Sequence, residues 1–240
     1  MLNGLDLFSG IGGLTLALAP WVRPVAYCEN DRFAQGVLLS QQVRRALPIA
    51  PIWDDIRTLR ARELPKVDVV YGGFPCQDIS TAGLGKGLEG KRSGLVFEVF
   101  RLVNETRPSF VFLENVPAIR TRGGERVVKE LAALRYDCRW DVLSAFDVGA
   151  PHKRDRWWLL AHAVREGRQI SGAEQGTAAA WRRRPAAECD VQTEIWNPAA
   201  AELRRIPDGV RPASHRIRAL GNAVVPAQAR EAFRRLMGLP

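Results

Sequence analysis

Short apolar runs of four or five residues recur along the first 162 positions, and between them apolar residues return at helical spacing. Residues 4–8 (GLDLF), 24–27, 67–71, 110–113 and 157–161 have strand length, while the helical pattern covers 14–19, a segment beginning near Phe33, 95–104 and 124–134. This alternation predicts an α/β fold with a doubly wound, mainly parallel sheet, whose ligands bind beyond the carboxyl ends of the strands. Across residues 163–213 the long apolar runs stop. Ala, Arg, Gly and Pro dominate there, with Trp181 and Trp196 as isolated aromatics, which predicts a short irregular insert. Regular pattern returns with a G-N-A-V turn at 221–224 and a helix over 227–237. The predicted organisation is therefore a domain over 1–162, an insert over 163–213, and a segment over 214–240 that rejoins the first domain.

Composition narrows the class without deciding it. Hydrophobic residues are 46% and charged residues 25% of the 240, which excludes a disordered or fibrous chain. No apolar run reaches the roughly 18 to 20 residues of a membrane span, and the N-terminus lacks a signal-peptide pattern, so a cytoplasmic protein is expected. The four cysteines, Cys28, Cys76, Cys138 and Cys189, are far apart and form no C-x-x-C pair, so neither a zinc site nor a disulfide framework is expected. A formal charge of +9, spread along the chain, favours a polyanionic partner.

The first candidate site follows the first strand, in D-L-F-S-G-I-G-G at 6–13. Glycines at 10, 12 and 13 leave room for close approach to a ligand. A dinucleotide fingerprint needs a third glycine where Thr15 stands, so a ligand without pyrophosphate fits better. Glu29, at the end of the second strand, is placed either as a solvated loop acid or as an acceptor for two ribose hydroxyls. Asp55, in W-D-D-I, is a candidate for an adenine amino group, and Asp54 for a helix cap.

The second candidate site is built around G-G-F-P-C-Q-D-I-S at 72–80. A strand delivers a Gly-Gly-Phe-Pro turn and then Cys76, which puts a thiol at the ligand edge of the sheet, where a nucleophile is wanted. The next strand ends in E-N-V, and Glu114, desolvated beside a substrate, can hold or share a proton near neutral pH. Arg154 and Arg156, two apart in A-P-H-K-R-D-R-W-W, share one side of an extended segment and suit a carbonyl oxygen and phosphates.

In this order the motifs resemble those of the cytosine C5 methyltransferases: D-L-F-S-G-I-G-G, Glu29, G-G-F-P-C-Q-D-I-S, R-S-G-L-V-F-E-V-F at 92–100, E-N-V, the Arg154/Arg156 segment, and L-G-N-A-V-V-P at 220–226. Only 163–213 lies outside the likeness. The resemblance implies a Rossmann-like class I methyltransferase fold, S-adenosylmethionine as cofactor, no metal, and double-stranded DNA as partner of a monomer. It implies that Phe8, Gly10, Gly12, Glu29, Asp55 and Asn222 line the cofactor site. Cys76 is then the nucleophile, Glu114 binds the cytosine N3 and amino group, and Arg156 with Arg154 holds the O2 edge and a nearby phosphate. Pro75, Gln77, Ser80, Asn115, Lys91 and Arg92 fall on the substrate side, the last two in a Gly-rich segment placed to close over DNA. An RNA methyltransferase of the same fold and a catalytically idle nucleic-acid-binding relative are the alternatives. The chain departs from the family in having His152 where Gln is usual, and in lacking the aromatic that often follows Glu29. Its insert of 51 residues is also shorter than usual, from which short or relaxed sequence recognition is expected, as in small phage or prophage enzymes.

Overall fold

Every apolar run singled out above forms a strand of one sheet. The computed structural model describes residues 1–75, 94–164 and 221–239. Its strands are β1 (Leu2–Leu7), β2 (Val22–Cys28), β3 (Ile52–Trp53), β4 (Val69–Gly73), β5 (Phe110–Asn115), β6 (Tyr136–Ser144) and β7 (Asp155–Ala163), ordered β3-β2-β1-β4-β5-β7-β6. β1 to β5 are mutually parallel, and β7 inserts antiparallel between β5 and β6. β7 therefore starts at the edge where the parallel strands end. That places Glu114 opposite Trp158 and Leu143 opposite Arg156.

The period-two alternation of strands sorts the core onto two faces. On one face Leu5, Leu7, Val70, Val111, Leu113, Trp157 and Leu159 pack with Val99, Leu102 and Val103 of α3 (Leu95–Thr106) and with Val127 and Leu131 of α5 (Gly124–Ala133). On the other, Val69, Tyr71, Phe112, Trp158 and Leu160 pack with Leu14, Ala17 and Leu18 of α1 (Gly13–Leu18) and with Ala229, Ala232, Phe233 and Leu236 of α6 (Pro226–Met237). α2 (Arg32–Val43) covers Tyr27 through Leu38, and a single turn, α4 (Ile119–Arg122), links β5 to α5.

α6 is fixed at both ends and along its buried stripe. Pro226 opens it, where a missing N–H costs nothing, and Gly238 closes it at φ 68° with amides donating back to the Arg234 and Arg235 carbonyls. Phe233 meets Phe112 edge-on at 5.1 Å, and Phe112 in turn stacks on Trp158 at 5.4 Å. Arg230 donates to the Ala17 and Leu16 carbonyls at the end of α1, tying the two helices together.

Two strands have no counterpart among the apolar runs: the two-residue β3 and the longer β6. Tyr136–Ser144 carries Asp137, Arg139 and Asp141 among its apolar residues, and only Tyr136 and Leu143 are buried. It is the outermost strand, held by its ladder with β7 rather than by two buried faces, so no apolar run announces it.

Candidate active site

At the end of β1 the backbone takes three left-handed residues in five: Phe8 at φ 54°, Gly10 at φ 54° and Gly12 at φ 88°. Glycine accepts this freely, whereas Phe8 is strained. What holds the turn is Glu29. Its Oε2 accepts from the Gly10 amide at 2.7 Å and its Oε1 from the Asp31 amide at 2.8 Å, so one carboxylate bridges the loops after β1 and β2. An ionised carboxylate has about four acceptor sites, so capacity remains for two ribose hydroxyls. The three glycines are not equivalent. A Cβ on Gly10 would meet open space, on Gly12 it would strike Leu47 at 2.5 Å, and on Gly13 it would press the Val224 carbonyl at 3.0 Å. Gly10 thus faces open space, while the other two admit packing.

Beneath this loop lies a buried polar cluster. Thr15 donates to Asp6 Oδ2 at 2.6 Å and meets the Tyr71 hydroxyl at 2.8 Å, leaving Asp6 Oδ1 without a partner. Burial pushes the Asp6 carboxyl up to about 7. Thr15, which argued against a dinucleotide, serves to hold this acid.

Beside the loop an open cleft of about 630 Å³ is lined by Asn30, Arg32, Gln35, Gly36, Leu39, Asp54, Asp55 and Arg57. Asp55 lies in it with both oxygens engaged by Arg57, at 2.9 Å and 2.8 Å for the shortest contacts, and this pairing lowers its pKa. An adenine amino group on Asp55 would compete with Arg57. No α-helix follows Asp54; the chain makes a turn in which the Thr58 amide donates to the Asp55 carbonyl, so the cap expected at Asp54 has nothing to cap.

The reactive edge is formed by the ends of β4 and β5 and the start of β7. Glu114 Oε1 receives Arg156 Nε at 2.7 Å, with side-chain exposures of 13% and 18%. Burial raises the Glu114 pKa, against the opposing pull of the Arg156 and Arg154 charges and the Arg156 hydrogen bond. Asn115 is buried, its Nδ2 donating to the Phe74 carbonyl at 2.9 Å and its Oδ1 accepting from the Val116 amide. It therefore ties β5 to the turn after β4. Pro75 is exposed at the end of that turn. Cys76, Gln77, Ser80, Lys91 and Arg92 lie outside the described residues, as does most of 163–213. Arg154 does not share the pairing of Arg156: its Nη2 donates to the Gly221 and Ala223 carbonyls, both at 2.9 Å.

A family model described as C-5 cytosine-specific DNA methylase matches residues 2–200. The chain belongs to this methylase family. Among its relatives, the Type II methyltransferase M.CviJI of Paramecium bursaria Chlorella virus IL3A is 31% identical over 232 residues, 95% of this chain and 58% of that protein. The Type II methyltransferase M.HhaI of Haemophilus parahaemolyticus is 34% identical over 164 residues, 66% of this chain and 48% of its own. The chain thus spans about half the length of the curated relatives it matches. A prophage-encoded E. coli protein, described as a DNA modification methyltransferase, superposes with a TM-score of 0.55 at 28% identity over 68% of this chain and 47% of that one. The S. pombe Dnmt2 methyltransferase superposes with a TM-score of 0.58 at 21% identity over 77% and 59%, and bears on the fold alone. The sheet is the Rossmann-like sheet of these methyltransferases.

Two residues that shape this edge escaped the sequence reading. A Cβ on Gly73 would lie 2.7 Å from Glu114 Oε2, so the carboxylate occupies the space that the glycine leaves open. A glycine inside a strand was the available signal. Gly73→Ala is expected to fold, because the far end of a side chain can give way, but to displace the acid and lower turnover at this edge by about 10²-fold. Parallel melting curves and turnover measurements check this. The second is Gln228, whose buried Nε2 donates to the Leu143 and Arg154 carbonyls, both at 2.7 Å. Nothing in its sequence context marks it. Among the described residues no cluster of metal-binding side chains is present, and no helix is long and apolar enough to cross a membrane.

Proposed function

We propose that the protein transfers a methyl group from S-adenosylmethionine to C5 of cytosine in double-stranded DNA, through a covalent bond between Cys76 and C6 of the base. The observation that carries this reading is the Glu114–Arg156 pair at the strand edge, where Glu114 lies opposite Gly73, two residues before Pro75. Bound S-adenosylmethionine supplies an electrophilic methyl on a sulfonium. Glu29 would take the ribose hydroxyls, the open face at Gly10 would admit the cofactor, and Phe8, Gly12, Asp55 and Asn222 would complete its surroundings.

Cytosine C5 is a weak nucleophile until something adds at C6. The Cys76 thiolate adds there, and Glu114 gives a proton to N3, so the ring's electrons collect at C5 instead of charging the base. Arg156 holds the Glu114 carboxylate in place and faces the O2 edge. Once C5 has taken the methyl, its proton leaves to a base, the C6–S bond breaks, and the aromatic ring and thiolate return. A raised Glu114 pKa serves this cycle, since N3 must be protonated and then released.

Within a duplex the ring is stacked, so the base must be extruded, at a cost of about a few kcal/mol. The +9 charge supplies phosphate attraction for this. We assign residues 1–162 to catalysis, 163–213 to target recognition, and 214–240 to a segment returning to the catalytic domain. The test is incubation with labelled S-adenosylmethionine and mixed-sequence duplex, followed by nucleoside analysis. Label in 5-methyldeoxycytidine is expected; label on adenine, on competing tRNA only, or nowhere, overturns the reading.

A further inference from the structure

Family likeness and sequence spacing both assign Arg154 to the substrate, beside Arg156. The geometry divides the two. Arg156 lies on Glu114, whereas Arg154 turns its Nη2 away to the backbone of a segment 67 and 69 residues later, at the Gly221 and Ala223 carbonyls. Both hydrogens of that nitrogen are thereby spent. Its Nε is buried and makes no hydrogen bond, so the forked face that would grip a phosphate in two places is already broken up.

Gly221 and Asn222 are helical, not part of the G-N-A-V turn expected there, and the two carbonyls that converge on Nη2 flank Asn222, so Arg154 fixes the helical turn that carries this residue. The hold is mutual. Gln228, farther along the same segment, donates to the Arg154 carbonyl and to Leu143, and the Ala145 amide also donates to the Arg154 carbonyl at 3.1 Å. On its other side the turn runs into Val224, whose carbonyl sits against Gly13 at the start of α1, directly after the Gly10–Glu29 bridge. One guanidinium thus joins the edge that bears Glu114 and Arg156 to the loop after β1 that Glu29 holds.

We propose that Arg154 is a positioning residue, which fixes the Gly221–Ala223 turn and through it the S-adenosylmethionine end of the site, rather than a residue that contacts the nucleic acid. The inference rests on the function proposed above, from which the cofactor is taken.

The test measures S-adenosylmethionine binding by calorimetry in the absence of DNA, where a nucleic-acid contact has no influence. Arg154→Ala is expected to weaken binding about tenfold, and to speed amide exchange in residues 221–225. Arg154→Lys should restore part of the affinity, because an ammonium can still donate to two carbonyls. Unchanged cofactor affinity and exchange, with affinity lost only for DNA, overturns the inference. Should Arg154→Ala fail to fold, Gly13→Ala decides, since its methyl would press on the Val224 carbonyl from the opposite side; weaker cofactor binding supports the linkage and unchanged binding overturns it. Wild-type protein that binds no S-adenosylmethionine defeats the proposed function instead, and the exchange measurement, which needs no cofactor, still tells whether Arg154 holds the turn.

Discussion

Cys76→Ala is expected to lower methyl transfer by about 10⁴-fold or more while leaving S-adenosylmethionine affinity within about twofold. The difference arises because the thiolate enters only the bond to C6 and has no place in the cofactor loop held by Glu29. Without it C5 stays unactivated, and no other described thiol can substitute. Cys28 is buried at the end of β2, and its thiol is pushed up to about 12; burial does the same to Cys138 on β6. Both remain protonated and unreactive at neutral pH. Product analysis with the alanine variant settles the point: methylation within tenfold of wild type would remove Cys76 from the mechanism.

Glu114→Gln should reduce the turnover number by about 10² to 10⁴-fold with a smaller change in cofactor affinity. An amide matches the carboxyl in shape but cannot hand a proton to N3. It also leaves the Arg156 guanidinium without its anionic partner, and the loss of a partner at 2.7 Å should lower the melting temperature somewhat. A pH profile separates the two effects. In the wild type, burial raises the Glu114 pKa, while the positive charges of Arg156 and Arg154 oppose the shift. As pH rises through that raised value the proton is lost, and single-turnover transfer should fall on the alkaline side. The residual rate of the glutamine variant should lack this decline. A variant that keeps both the rate and the alkaline limb would show that another group protonates the base.

The sheet was largely legible because its central strands are buried on both faces and so read as apolar runs, as Val67–Tyr71 shows by overlapping β4. The outer strand was not, since hydrogen bonds to β7 rather than burial hold Asp137, Arg139 and Asp141 in line. In the candidate site the same division holds. The placement of Glu114 at a strand end follows from the alternation of elements, but its pairing with Arg156 requires β7 to run antiparallel so that its start meets the end of β5, which a pattern read as a mainly parallel sheet does not announce. The bonds made by Arg154, Asn115 and Gln228 all end on backbone carbonyls or amides. A main-chain partner has the same chemistry at nearly every position, so no residue type betrays it. Gly12 and Gly13 were read as room for a ligand, yet the spaces they leave are taken by Leu47 and Val224, neighbours that only the folded chain brings near.

The placement of α6 over Phe112 and Trp158 sets an order of events during synthesis. All seven strands leave the ribosome before residues 226–237 exist. Until then an aromatic sheet face lacks its cover, and the nascent protein must keep it from sticking to its neighbours for as long as the 62 codons of residues 164–225 take to read, about 3 to 12 seconds at ordinary elongation rates. Conditions that slow translation across that stretch should thus favour aggregation over folding, even though the finished sheet is untouched.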